Sequence, residues 1–342
     1  MLRLVESPRE WEEFIATVNQ NTFLHHQGWI DFNAKHGFKT WRWGWYEEEK
    51  LVSALFCMVV DAKRGRFLFV PHGPQSRTEL DSLALQTWSE HLRNLARQEG
   101  CAFIRISPIA PDTPANRSLF QKAGYRKAPL HMHAELTTVV DLTPSKDDIL
   151  LAMRKSTRQA CRKGERLVES GEVTVEAPTS LTSEMYEVYA DTAKRGGFVG
   201  FTREYIQDEY TAFQTETTSA HYRVVRYRGR ILSWGLWILT PKRAFYHQGA
   251  NMLHKKIPAS YLSHWEGIKL AKTNGCQTYD FWGVAPLNQP NHPWQNISLF
   301  KRGFGGRDLA LVPAQDLPLR PFYWVTWAVE TLRAKKRGFR AD

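Results

Sequence analysis

"LARQEGC", Leu95–Cys101, returns about 175 residues later as "LAKTNGC", Leu270–Cys276, and the pair decides how the chain is read. Each copy ends a helix-like pattern and leads into a strand-like apolar stretch, "AFIRIS" (102–107) in the first and "QTYDFWG" (277–283) in the second. Upstream, "YEEEKLVSALFCMVV" (46–60) matches "YRGRILSWGLWILT" (227–240), a polar turn followed by a β-branched and aromatic strand. A second strand ending in a glycine turn follows each, "RFLFVPHGP" (66–74) and "AFYHQGAN" (244–251). Order and spacing agree as well as letters, so the economical account is one α/β unit used twice. The expected fold is α/β (α+β), two tandem domains of mixed sheet flanked by helices, divided as residues 1–143 and 144–342.

Bulk properties fit that size. A chain of 342 residues holds about two domains. Its 42% hydrophobic and 24% charged residues imply packed globular structure. Forty-six Lys+Arg against 35 Asp+Glu give +11, which favours an anionic partner such as nucleic acid, a nucleotide or an acidic membrane surface. Cys57, Cys101, Cys161 and Cys276 form no C-x-x-C pair, so neither a zinc site nor a disulfide framework is expected. "MLRLVESPREWEEF" has no apolar h-region, and the longest apolar run, "ILSWGLWIL" (231–239), falls far short of the ~20 residues that span a bilayer. A cytoplasmic, monomeric protein is the expectation. The phosphate-binding, zinc-protease and nucleophile-elbow signatures are absent. No metal and no cofactor are expected, and His25, His26 and the "HMH" at 131–133 read as surface or strand histidines.

Between the copies lies "LTPSKDDILLAMRKSTRQACRKGERLVESG" (142–171), read as one basic linking helix over about 145–168 with Ser145 and Asp148 as a capping box. Arg154, Arg158, Arg162 and Arg166 recur at i, i+4 and line one face. That ridge is either a solvated helix face or a set of contacts to a phosphate backbone. The C-terminal "LPLRPFYWVTWAVETLRAKKRGFRAD" (317–342) is aromatic, then basic, and reads as a docking helix or as a segment for peripheral contact with anionic lipid. Trp41, Trp43 and Trp45 alternate as strand packing does, whereas Trp282 and Trp294 flank a glycine-rich loop.

That loop is "ISLFKRGFGG" (297–306), where Lys301 and Arg302 stand before three glycines. Together with "IPASYLSHWEGIKLAKTNGCQTYDFWGV" (257–284) it resembles the FemABX family of aminoacyl-tRNA-dependent peptidyltransferases. Looser similarity runs through "TAKRGGFVGFTREY" (192–205), "FLHHQGWIDFNAKHG" (23–37) and "PHGP" (71–74), covering nearly the whole chain. The resemblance implies two tandem GNAT-like domains of the compact type without a helical insert. It implies transfer of an amino acid from aminoacyl-tRNA to an amine of a peptidoglycan precursor, in UDP-MurNAc-pentapeptide or lipid-linked form.

By the same resemblance Lys301, beside Phe300, is the donor that stabilises the oxyanion, and the cationic ridge contacts the tRNA. Tyr205 and Tyr246 match acceptor-contacting aromatics, and Trp282 is a stacking candidate. Asn33 and Phe201 stand where the family holds the acceptor's diphosphate with a lysine and an arginine; Lys35 and Arg203, two residues further on, and Arg195 are the substitutes. Ser107 stands where the family often has an acid, leaving the general base unassigned, with Asp280 equally readable as structural. Two alternatives stay open: the same chemistry on a non-cell-wall peptide or secondary metabolite, or a non-catalytic nucleic-acid-binding module. "HKKIPASYL" (254–262) lacks the glycine loop that a coenzyme A donor requires.

Overall fold

Alternating apolar residues around short polar turns fold both repeats as antiparallel hairpins, each extended by a third strand and closed by a helix. The computed structural model describes residues 1–18, 20–63 and 65–336. The chain forms two compact units, one of Met1–Thr137, Gly283–Asn296 and Leu309–Asp342, the other of Thr138–Trp282 and Ile297–Asp308.

The first unit contains β1 (Leu2–Leu4), α1 (Pro8–Thr17), α2 (Gln27–Lys35), β2 (Thr40–Glu47), β3 (Lys50–Ala62), β4 (Gly65–Val70), β5 (Gln75–Ser76), α3 (Ser82–Gln98), β6 (Phe103–Ile106), α4 (Pro114–Lys122) and β7 (Arg126–Lys127). Strands β2, β3 and β4 pair antiparallel. β4 and β6 run parallel, with Phe67 opposite Phe103 and Val70 opposite Ile106. Parallel neighbours need a crossover, and α3 supplies it. Asp81 caps α3 by accepting from the Ala84 amide at 2.7 Å. Its Leu85, Trp88, Leu92 and Leu95 share one core with Leu55, Leu68 and Ile104. Trp41, Trp43 and Trp45 pack against that core, as their alternation implied.

The second unit begins in β8 (Leu136–Asp141) and continues through α5 (Lys146–Ala152), α6 (Lys155–Glu169), β9 (Val173–Glu176), α7 (Ser183–Gly196) and α8 (Arg203–Ala212). Then come β10 (Ser219–Tyr227), β11 (Arg230–Leu239), β12 (Arg243–Asn251), α9 (Ala259–Thr273), β13 (Thr278–Gly283), α10 (Gln295–Arg302) and β14 (Arg307–Ala310). The sheet order is β14-β8-β13-β12-β11-β10-β9. β10, β11 and β12 pair antiparallel, while β12 and β13 run parallel, with α9 as the crossover. The duplication read from the letters is thus a duplication of topology.

Two expectations are corrected. The basic linking segment is two helices, broken at Met153–Arg154. The break follows from the glycine turn after α10: the Arg154 amide donates to the Gly303 carbonyl at 2.9 Å, and a Cβ on Gly305 (φ +82°) would lie 2.6 Å from the Ala152 carbonyl. His25 and His26 are buried, not surface residues, because the His25 ring is held by the Thr22 amide and the His72 carbonyl and His26 by Glu12.

Each compact unit is assembled from separated stretches of the chain. The segment from Leu309 belongs to the first unit, where β15 (Gln315–Pro318) lies between β6 and β7. Arg105 on β6 forks onto Asp316 at 2.7 and 2.8 Å and reaches Glu330 on α11 (Tyr323–Lys336) at 2.7 Å. Arg126 lies 4.4 Å over the Trp324 ring, so α11 docks; residues 337–342 of the basic tail lie outside the described residues. Among the described residues no helix is long and apolar enough to cross a membrane.

Candidate active site

The Lys301–Arg302 pair is divided by the helix that carries it. Both sit in the last turn of α10 rather than in the loop expected, and only the glycines that follow form the turn. Arg302 forks onto Asp308, with Nη2 at 2.8 Å and Nε at 3.0 Å from Oδ2. Lys301 goes the other way and is only 7% exposed. Phe300 packs edge-on to Tyr261 at 4.8 Å and also meets His264 and Phe304.

Burial disfavours the ammonium, so the Lys301 pKa falls to about 8, against the opposing pull of the Asp280 carboxylate. Asp280 is buried on β13, accepts from the Trp282 amide at 2.7 Å and lies 3.8 Å from Arg243. That first bond spans a turn in which Trp282 has φ +60°, a costly conformation for a bulky side chain and one that concentrates at functional sites.

His264 on α9 stays neutral, pushed down to about 3 by burial and then by the Lys301 charge. Its Nδ1 is 2.8 Å from the Tyr279 hydroxyl, which also accepts from Trp237 Nε1 at 2.6 Å. An indole only donates, so the Tyr279 proton goes to His264 Nδ1 and the imidazole proton is assigned to Nε2. Gly267 on α9 makes this possible, since a Cβ there would strike the Trp237 indole.

A second polar group was not legible in the sequence. Glu209 on α8 is wholly buried and hydrogen-bonds His247 Nδ1, while Gln248 Nε2 donates to it at 3.2 Å. His247 is the extra residue of a β-bulge: Gln248 faces Leu236 and Tyr246 faces Trp237, leaving no partner position between them. Bulges re-aim side chains, and the His247 ring lies edge-on to Trp282 at 6.1 Å. Burial and then the Glu209 charge raise the pKa of both the Tyr205 and Tyr222 phenols.

The remaining expected residues divide. Tyr246 lies 4.4 Å from His264 and so belongs to the lysine cluster. Tyr205 stacks on Phe201 at 4.2 Å and 7°, on the Glu209 helix. Arg203 donates to Ser183 Oγ and the Leu181 carbonyl, and Arg195 to Asn251 at 2.6 and 2.8 Å, so both guanidiniums are engaged in holding loops. Asn33 is buried in α2 of the other unit and donates to the Trp29 carbonyl at 2.7 Å, while Lys35 is exposed there. Ser107 is buried at the end of β6, also in the first unit. Arg154 reaches the Leu299 carbonyl and Arg158 the Leu151 carbonyl, whereas Arg162 and Arg166 are exposed on α6. No cluster able to hold a metal ion occurs among the described residues.

Two sheets, each with an antiparallel hairpin, a parallel neighbour and a helical crossover, define a tandem GNAT-like protein whose second unit carries a buried lysine where its parallel strands end. Residues 7–118 match the FemAB family and residues 152–295 the acetyltransferase (GNAT) domain. The fold is similar to that of FemX, at 14% identity, a TM-score of 0.79 and coverage of 95% of this chain and 99% of that one. It is also similar to a tandem GNAT protein from the clavulanic acid biosynthesis pathway, at 12% identity and TM-score 0.58, covering 93% and 98%. L-PGS from Bacillus licheniformis is similar at 13% identity and TM-score 0.56, covering 97% and 98%. A comparison with curated proteins finds no match. The acetyltransferase (GNAT) match over residues 152–295 supports a place among the transferases.

Proposed function

We propose that the protein is a cytoplasmic aminoacyltransferase that moves an amino acid from aminoacyl-tRNA to an amine of a peptidoglycan precursor peptide. The observation that carries the reading is the buried Lys301 ammonium, whose charge bears on His264 and is biased by Asp280. In the reaction the acceptor amine attacks the ester carbonyl, a C–N bond forms, and negative charge collects on the carbonyl oxygen. A cation already desolvated there stabilises that charge without reorganising water. His247, oriented by Glu209, takes the proton released by the attacking nitrogen. The C–O bond to the tRNA ribose then breaks, and the ribose oxygen is protonated as the amide is completed. Exposed Arg162 and Arg166 supply contacts to tRNA phosphates. Tyr205, Tyr246 and Trp282 offer aromatic surface to the acceptor.

The test is incubation with mixed charged tRNAs and either UDP-MurNAc-pentapeptide or its lipid-linked form, with products weighed by mass spectrometry. A mass increase of one amino-acid residue that disappears in Lys301→Ala is expected. No increase with any charged tRNA refutes the reading. A second reading, acyl transfer from coenzyme A, is favoured by the GNAT domain match. Against it, α9 starts at Ala259 after Pro258 with no side-chain cap and no glycine loop before it. An acetyl-CoA arm of the same assay separates the two.

A further inference from the structure

Two loops of the second unit expose apolar side chains that the transferase chemistry does not use. Between α7 and α8, Val199 is 98% exposed, with Phe198 and Phe201 about half exposed. Between β12 and α9, Leu253 is 81% exposed, with Met252 beside it in water. The loops are fastened to one another: Arg195 donates to the Asn251 carbonyl and side chain, and Thr192 Oγ1 donates to the same carbonyl at 3.0 Å. The left-handed Gly197 (φ +67°) ends α7, and Gly200 lies so close to Tyr189 that a Cβ would sit 2.9 Å from its ring. The chain is therefore turned outward at Val199 by construction.

Cations predominate around these tips. Lys194, Arg195 and Arg203 flank the first loop, and Lys255 and Lys256 follow the second. Neither 194–203 nor 252–256 contains a carboxylate; Asp191 and Glu204 are the acids that border the first loop. Separate apolar tips ringed by cations suit a surface that is soft, apolar within and anionic outside.

We propose that loops 198–201 and 252–253 seat the protein on an anionic bilayer, inserting Val199 and Leu253 while the lysines meet lipid headgroups. The patch is continuous with the acceptor side of the site through the Phe201–Tyr205 stack. Resting on the transferase reading, this selects the lipid-linked acceptor over the water-soluble one.

Co-sedimentation with phosphatidylglycerol/phosphatidylcholine vesicles tests the surface without needing any activity. Wild type is expected to bind anionic vesicles at least tenfold more tightly than pure phosphatidylcholine, and Val199→Asp/Leu253→Asp to lose at least tenfold with unchanged circular dichroism and melting. Lys255→Glu/Lys256→Glu is expected to lose the anionic preference. Equal binding by the apolar double variant overturns the proposal, as does absence of vesicle binding with self-association or protein capture through the same residues. In the transfer assay the double variant should lose activity on vesicle-borne acceptor but keep it on UDP-MurNAc-pentapeptide. If neither acceptor is used while vesicle binding persists, the transferase reading fails and the membrane surface stands.

Discussion

Replacing Lys301 with methionine should make the protein more stable and less active at once. Burial depresses the lysine from 10.5 to about 8, and each pKa step corresponds to about 1.4 kcal/mol, so the folded state carries a penalty of about 3 kcal/mol for holding the charge. The unfolded lysine keeps its proton up to about pH 10.5, whereas the folded one releases it near 8. Below pH 8 the penalty is present in full. Between pH 8 and 10.5 the unfolded chain binds the extra proton, so this group makes stability rise with pH across that window. Lys301→Met, of similar length and apolar, removes the penalty. Urea unfolding at pH 7 should show a gain of up to about 3 kcal/mol that shrinks toward zero by pH 10.5. Under the transferase reading, kcat falls by about 10²–10³ in the same variant, as for loss of one preorganised oxyanion donor. A variant that is less stable at pH 7, with a difference flat in pH, would show that Lys301 is not a strained buried charge.

Arg105→Ala leaves Asp316 buried without its fork and should cost about 3–5 kcal/mol in chemical denaturation. Gly267→Ala forces a methyl into the Trp237 indole and should cost about 1–3 kcal/mol, with a change in tryptophan fluorescence. His247→Gln keeps a side chain able to bond Glu209 but cannot take a proton, so kcat should drop about 10²–10⁴-fold while KM holds. Arg162→Glu/Arg166→Glu should weaken tRNA binding and flatten its dependence on salt, measured by filter binding at ~50 and ~200 mM salt.

The repeat was readable because hairpin, helix and strand kept both their order and their recurring letters in the two copies. Lys301 was readable from the resemblance alone; three glycines after it pointed to a loop, and nothing in "SLFKR" marks the helix that turns it inward. Glu209 and His247 were not readable, since they are 38 residues apart and meet through a bulge that depends on pairing with Leu236 and Trp237. Asn33 could not be told from a ligand-facing residue, because only the fold shows its amide bonding one turn back along α2. The segment "QDLP" carries no alternation, so its place in the first sheet followed only from tertiary pairing, with Arg105 and Asp316 separated by 211 positions.

That last pairing bears on how the chain comes to be folded. Strand β15 stands between β6 and β7, yet it is made some two hundred residues after them. During synthesis the first sheet has a gap until residues 315–318 leave the ribosome, and Arg105 waits without its carboxylates. The second unit needs nothing beyond Asp308 and can close earlier. Folding along the nascent chain therefore runs against its order of appearance: the part begun first is the part completed last.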